Sequence, residues 1–100
     1  MIISFGHARA TPPKADRIWD VRDLPHNFQD PLVKARIDHI TRLCLETPGD
    51  IAIGCQWGQH RAPYIAEEVA RRLKTSVRHR DRTPGVARVS HALAKVLARL

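Results

Sequence analysis

The sequence predicts an α/β fold, in which a small parallel sheet has helices packed on both faces. Short apolar runs alternate along the chain with longer segments whose apolar residues recur at helical spacing. The run within residues 50–54 is almost continuously apolar, as is typical of a strand buried on both faces of a sheet. The chain has 100 residues, which suits one domain. We therefore predict a single three-layer domain over residues 1–100, with a mostly parallel, four-stranded sheet.

The first half of the chain supplies two strands and a helix. Residues 2–5 form a short apolar run, and residues 17–21 alternate apolar and polar side chains, so both are predicted strands. Residues 30–46 carry apolar side chains at helical spacing. Asp30 is the expected N-cap of this helix and Pro31 its first helical residue.

The second half repeats the alternation. We predict strands at residues 50–54 and 75–80, and helices at 63–74 and 86–100. In open parallel sheets, ligands bind beyond the carboxyl ends of the strands. The segments that follow the first three strands are therefore expected to converge on one crevice.

The loop after the third strand carries the strongest functional signal. It reads Cys-x5-Arg from Cys55 to Arg61, with Gly58 between them, and it leads into a helix. Backbone N–H groups in such a loop and at a helix N-terminus favour an anion, and an arginine adds a fork of donors. We predict an anion-binding loop, similar to a P-loop in principle. The candidate ligand-binding residues of the whole crevice are Gly6, His7, Arg9, Arg22, Gln56, Trp57, Gly58, Gln59, His60 and Arg61.

Several of these side chains also have structural interpretations that the sequence leaves open. Arg22 is placed to pair with Asp20 or Asp23, and Gln59 to cap the following helix. Cys55 also suits a small buried position at a strand end.

Protein tyrosine phosphatases share the Cys-x5-Arg spacing, so an enzyme is the alternative function. There a thiolate attacks phosphorus, the arginine holds the phosphate oxygens and an aspartate protonates the leaving group. The corresponding residues are Cys55 as nucleophile, Arg61, and Asp20 or Asp23 as the acid. Ala62 stands where phosphatases carry Ser or Thr. We therefore favour a binding domain over an enzyme and expect no useful phosphatase turnover.

Charge is distributed unevenly. The formal net charge is +7, and residues 61–100 carry all of it, because residues 1–60 contain equal numbers of basic and acidic side chains. Such asymmetry suggests an anionic ligand or a polyanion such as structured RNA, although a solvated basic surface is the alternative. The candidate RNA-binding residues are Arg78, Arg80, Arg82, Arg88, Lys95 and Arg99.

Composition narrows the remaining classes. The chain has neither a run of 18 apolar residues nor a signal-peptide pattern, so we expect a cytoplasmic protein without a membrane partner. Cys44 and Cys55 form no zinc-binding spacing with the histidines, and we expect no metal and no cofactor. The sequence leaves a homo-oligomer open.

Four separated motifs resemble the C-terminal domain of the RapZ family, the RNase adapter proteins. They are, in the family's order, Ser4-Phe5-Gly6, the segment 15–25 with Asp20-Val21-Arg22, the segment 51–73, and Val77-Arg78-His79-Arg80-Asp81. The resemblance implies an α/β domain that binds a phosphosugar, glucosamine-6-phosphate, and a small regulatory RNA. It places the ligand loop on residues 56–61 and an early ligand segment on residues 6–9.

The chain departs from the family pattern at the implied site. Gln56-Trp57 replaces the family's Thr-Gly, and residues 7–10 lose a lysine but gain Arg9. The segment between Pro25 and the third strand is shorter than in the family. These 100 residues contain no Gly-x4-Gly-Lys-Ser/Thr, so nucleotide binding is not carried over. We predict a regulatory domain for an amino-sugar phosphate or similar anion, with an RNA-binding adapter role.

Overall fold

The computed structural model describes residues 1–83, in which strands and helices alternate. The elements are β1 (Ile2–Gly6), β2 (Arg17–Asp20), α1 (Pro31–Glu46), β3 (Ile51–Cys55), α2 (Arg61–Leu73) and β4 (Val77–His79). The strands pair in the order β2-β3-β1-β4, and every pair is parallel. The predicted α/β class and four-stranded parallel sheet are therefore confirmed. The predicted helix at 86–100 lies outside the described residues.

Local sequence signals explain the helix boundaries. The Asp30 carboxylate accepts a hydrogen bond of 2.9 Å from the Leu32 N–H, so this residue caps α1 as predicted. Helix α2 begins at Arg61, two residues before the predicted start at Pro63. The N–H groups in the first turn of a helix lack intrahelical partners, so proline is compatible with any position of that turn. Pro63 therefore indicates the first turn of α2 but not its first residue. Lys74 ends α2 in the left-handed conformation.

The core lies between one face of the sheet and the two helices. Ile51 and Ile53 of β3 are buried against Ile37 and Ile40 of α1 and against Ile65 of α2. Burial of each such side chain contributes roughly 1.5–3 kcal/mol. Helices α1 and α2 thus pack on the same face of the sheet.

The opposite face of the sheet carries the alternate residues of β1, Ile3 and Phe5. Phe5 is fully buried there, with the His7 ring 4.8 Å from its centroid in an edge arrangement and the Arg80 guanidinium 5.4 Å away. The sequence predicted a helix layer on both faces. Because both described helices share one face, the second layer depends on the predicted helix 86–100, outside the described residues.

Within residues 1–83, neither helix is long and apolar enough to cross a membrane.

Candidate functional site

The carboxyl edge of the sheet brings three segments together. The His7 N–H donates to the Cys55 carbonyl at 2.8 Å, which continues the β1–β3 pairing beyond the strand ends. The Val21 N–H donates to the Gly54 carbonyl at 2.8 Å and draws the segment after β2 to the same edge. The segments after β1, β2 and β3 therefore lie side by side, as the topology predicted.

Close backbone packing fixes the loop 55–61 against the end of β1. A Cβ atom added to Gly6 would lie 2.3 Å from the backbone carbon of Trp57. One added to Gly58, which has a φ of +74°, would lie 2.7 Å from the Gly6 nitrogen. Both glycines are needed because the two backbones approach too closely for a side chain, and Gly58 also takes a conformation that other residues rarely adopt.

Cys55 is part of the loop's internal structure. The Gly58 N–H donates to its Sγ atom at 3.2 Å, and the residue is buried at the end of β3. The thiol therefore accepts a hydrogen bond within the loop and is buried. This agrees with the alternative interpretation of Cys55 as a small buried residue at a strand end.

Arg61 is buried with 9% of its surface exposed. Its Nη1 donates to the carbonyl of Arg22 at 2.7 Å and to that of Leu24 at 3.1 Å. This guanidinium therefore ties α2 to the segment after β2, a structural role that the Cys-x5-Arg spacing did not indicate. Within residues 1–83, its Nε and Nη2 make no hydrogen bond, so a role toward a ligand stays a prediction.

The carboxylates near the site are paired with arginines. Arg22 donates from both Nε and Nη2 to the Asp20 carboxylate, with the Nη2 contact at 2.6 Å. Arg36 forms an ion pair with Asp23 at 2.6 Å. Hydrogen bonds from these guanidinium groups hold the pKa of each aspartate below its usual value. A general acid must be protonated at working pH. Neither aspartate suits that role, and this arrangement with a buried thiol disfavours the phosphatase alternative.

His7 lies between the first two strands at this edge. Its side chain is 18% exposed, and its Nε2 is 3.7 Å from an Asp20 carboxylate oxygen. That Nε2 atom is buried and has no hydrogen-bond partner within the described residues. This nitrogen packs over Gly54, where an added Cβ would lie 2.7 Å from it, so a role for His7 toward a ligand stays a prediction.

Trp57 and Arg9 form the outer rim of the loop. The indole is 54% exposed, and the Arg9 guanidinium carbon lies 5.4 Å from its ring centroid. Gln56 and His60 are also exposed, and the His60 side chain makes no capping hydrogen bond to α2. The four side chains are therefore accessible from solvent.

Gln59 connects the loop to the segment after β4 and does not cap α2. Its Nε2 donates to the Asp81 carbonyl at 2.7 Å, and its Oε1 accepts from the Thr83 N–H at 2.9 Å. The Asp81 carboxylate in turn accepts from the Gly6 N–H at 2.8 Å. Asp81 was not among the predicted site residues, although the motif that ends in it was part of the family resemblance.

A buried polar chain behind the loop was also missed. Ser4 is fully buried, and its hydroxyl lies 2.6 Å from the Nδ1 atom of His79. The other ring nitrogen lies 2.8 Å from Glu67, to which Arg82 also donates. Burial lowers the pKa of His79, and the hydrogen bond with Glu67 opposes this. Because Ser4 is inaccessible to a substrate, the chain links β1, β4 and α2 structurally.

The predicted RNA-binding arginines within the described residues differ in availability. Arg78 is exposed on β4. Arg80 is paired with Asp81 at 2.8 Å, and Arg82 with Glu67 at 3.1 Å. The rest of that predicted set lies outside the described residues: Arg88, Lys95 and Arg99.

Comparison with known proteins identifies the same family that the sequence motifs resemble. The family model described as the RapZ C-terminal domain matches residues 41–83, which include β3, the loop, α2 and β4. A protein of Paraburkholderia xenovorans named as a nucleotide-binding protein is 34% identical over 115 residues, covering 81% of this chain and 39% of that protein. A nucleotide-binding protein of Neisseria meningitidis serogroup B is 34% identical over 112 residues, covering 78% of this chain and 39% of that protein.

The match to a nucleotide-binding protein of Burkholderia vietnamiensis is longer. It is 32% identical over 130 residues and covers 96% of this chain and 43% of the relative. The chain thus spans about two fifths of the length of these curated relatives. The aligned stretches are longer than the matched part of this chain, so the relatives carry additional residues inside them. The chain belongs to the RapZ C-terminal domain family.

Proposed function

We propose that this domain binds a phosphorylated small molecule at the carboxyl edge of its sheet, with the phosphate against the loop 55–61. One observation carries the proposal. Within residues 1–83, the backbone N–H groups of Gln59, His60 and Ala62 donate to no protein acceptor. They lie at the end of the loop and in the first turn of α2, where the helix dipole also favours an anion. Several unpaired N–H groups close together supply the hydrogen-bond donors that phosphate oxygens require.

Side chains around the loop also favour a negatively charged ligand. Arg9 and His60 are exposed, and no carboxylate pairs with Arg9 within the described residues. The carboxylate of Asp81 faces the Gly6 N–H and Arg80. The proposed ligand-binding set remains Gly6, His7, Arg9, Arg22, Gln56, Trp57, Gly58, Gln59, His60 and Arg61.

The family resemblance narrows the ligand class to an amino-sugar phosphate, and we propose this class. Regulation is the corresponding role that the family match supports, and the described groups around the loop are suited to holding an anion. Both cysteines are free thiols, which supports the proposed cytoplasmic location.

The test compares glucosamine-6-phosphate, glucosamine and inorganic phosphate by isothermal titration calorimetry and thermal shift. The two phosphate compounds should bind and raise the melting temperature, and glucosamine should not. Arg9→Ala should weaken glucosamine-6-phosphate by about tenfold, or about 1.4 kcal/mol. Arg71→Ala is the matched control, because that arginine is 69% exposed on α2 and bonds only to Glu68 within residues 1–83. No binding of either phosphate compound at millimolar concentration would refute the proposal.

Charge asymmetry supports RNA binding as a second proposed function. Residues 61–100 carry the whole net charge of +7, and Arg78 is exposed on β4. Phosphate contacts would dominate affinity, so binding of structured RNA should weaken steeply as salt is raised from 50 to 200 mM. Replacing Arg88, Lys95 and Arg99 by Glu together should abolish the gel shift. An undiminished shift by that variant would refute this function and leave ligand binding untouched.

A further inference from the structure

We propose that Trp57 determines ligand specificity: its exposed indole stacks on the ring of the bound ligand, so the site selects phosphate monoesters that carry a ring over acyclic ones. This inference rests on the proposed function and adds to it a geometric preference for the part of the ligand beyond the phosphate. Both saturated sugar rings and aromatic bases fit this inference, because the C–H face of a sugar and the π face of a base each pack against an indole.

The first support is the exposure of Trp57. It is the only aromatic residue among the large apolar side chains that are exposed within residues 1–83. The other tryptophan, Trp19, is half-buried against the core and lies edge-on to His39. An indole left 54% exposed forgoes much of the hydrophobic stabilisation that burial would supply. A bound ring would recover part of it.

The second support is the rigid backbone beneath the indole. The backbone of Trp57 packs so closely on the end of β1 that Gly6 has no room for a Cβ. The following residue, Gly58, is held by its hydrogen bond to the Cys55 thiol. Trp57 therefore projects from a fixed platform, and a ligand that stacks on it avoids the cost of ordering the loop backbone.

The third support is Arg9, whose guanidinium lies on one side of the indole at 5.4 Å from the centroid. This cation–π contact orients the ring and leaves further indole surface open to solvent. The unpaired N–H groups begin at Gln59, two residues after Trp57, so the chain between them spans no more than about 7 Å. A sugar phosphate or a nucleoside monophosphate is long enough to contact both.

Three ligands with one phosphate each test the preference: glycerol-3-phosphate is acyclic, glucosamine-6-phosphate carries a saturated ring, and adenosine 5′-monophosphate carries an aromatic base. At least one ring compound should bind the parent about tenfold more tightly than glycerol-3-phosphate, in the range that stacking on an aromatic side chain gives. Trp57→Ala should remove that preference by weakening the ring compound about tenfold more than it weakens glycerol-3-phosphate, whereas Trp57→Phe should keep most of the preference. Leu45→Ala is the matched control, since Leu45 is exposed on α1.

Fluorescence gives a direct readout of contact. The chain contains two tryptophans, so Trp19→Phe leaves Trp57 as the single reporter. The preferred ring compound should change its emission at saturation, and glycerol-3-phosphate should change it far less.

The outcomes separate the two proposals. If all three phosphates bind the parent equally well, or if Trp57→Ala keeps the ring preference, the specificity inference is overturned and phosphate binding stands. If no phosphate compound binds, the proposed function fails and the inference fails with it.

Discussion

The loop 55–61 has an inner wall and an outer rim that use their side chains in opposite ways. The inner wall, which we define as Cys55, Gly58 and Arg61, is bonded to the protein: Gly58 to the thiol, and Arg61 to the carbonyls after β2. The outer rim, defined as Gln56, Trp57 and His60, is exposed. Cys55 and Arg61, which match the phosphatase spacing, thus stabilise the loop. The three residues of the outer rim face solvent.

The difference follows from what each group costs to bury. A guanidinium removed from water must donate to acceptors nearby, and the carbonyls of Arg22 and Leu24 need donors in the same place. An indole carries a single N–H donor on a large apolar ring, so polarity opposes its burial far less than that of a guanidinium. Exposure of Trp57 is therefore more informative about binding than the presence of Cys55 and Arg61.

The largest effect expected in the inner wall is that of Gly58→Ala. The new Cβ would lie 2.7 Å from the Gly6 nitrogen, and the φ of +74° is unfavourable for alanine. Because backbone must move, we expect a loss of at least about 3 kcal/mol in the free energy of unfolding. Urea denaturation measures it, with Gln56→Ala as the neighbouring exposed control. A loss below about 1 kcal/mol would show that the loop is not clamped on β1.

Arg61→Ala comes next. It leaves two carbonyls without their donor in a buried place, so stability should fall by about 2–3 kcal/mol. Arg61→Lys should recover only part, because one ammonium cannot reproduce the fixed geometry of a guanidinium. Arg71→Ala, on the exposed face of α2, should change stability far less, because a surface ion pair contributes little. Equal effects of Arg61→Ala and Arg71→Ala would show that the hydrogen bonds of Arg61 do not stabilise the inner wall.

A smaller, pH-dependent effect tests the support behind the inner wall. The pKa of His79 is lowered by burial in the folded protein, so the unfolded state binds more protons below the ordinary value of 6.5. Stability should therefore fall as pH drops from 6.5 toward 5. The pKa of Glu67 is also below normal, because hydrogen bonds from His79 and Arg82 together outweigh the effect of burial, but its contribution falls at lower pH.

Melting temperatures of the parent and His79→Gln between pH 5 and 7 provide the measurement. The variant should show the shallower dependence on pH. Identical slopes would mean that the chain from Ser4 through His79 to Glu67 is not proton-linked to folding.

Sequence reasoning predicted the fold from features that local physics controls. The continuous apolar run of β3, the cap at Asp30 and the helical spacing of α1 all act over a few residues, and all three are confirmed. The start of α2 was placed two residues late, because Pro63 is compatible with any position of the first turn.

The site was predictable in its location but not in the direction of its side chains. Parallel topology alone brings residues 6–9 and 55–61 to one edge, so the convergence could be predicted. The burial of Arg61 and the bridge from Gln59 to Asp81 depend on contacts 22 or more residues apart in the chain, which spacing cannot reveal. The pairing of Arg22 with Asp20 was one of the alternatives that the sequence left open.

The smallest expected effect completes the comparison, because the outer rim should contribute little to folding. Trp57→Ala should change the free energy of unfolding by less than about 0.5 kcal/mol, since more than half of the indole is already in water and its contact with Arg9 is also at the surface. His60→Ala should be equally mild, as its side chain makes no cap to α2. The same urea denaturation used for Gly58→Ala measures both, so wall and rim are compared within one loop and one assay. A loss above about 1.5 kcal/mol for Trp57→Ala would place the indole in the packed structure, and its exposure would then no longer support a role in stacking on a ligand.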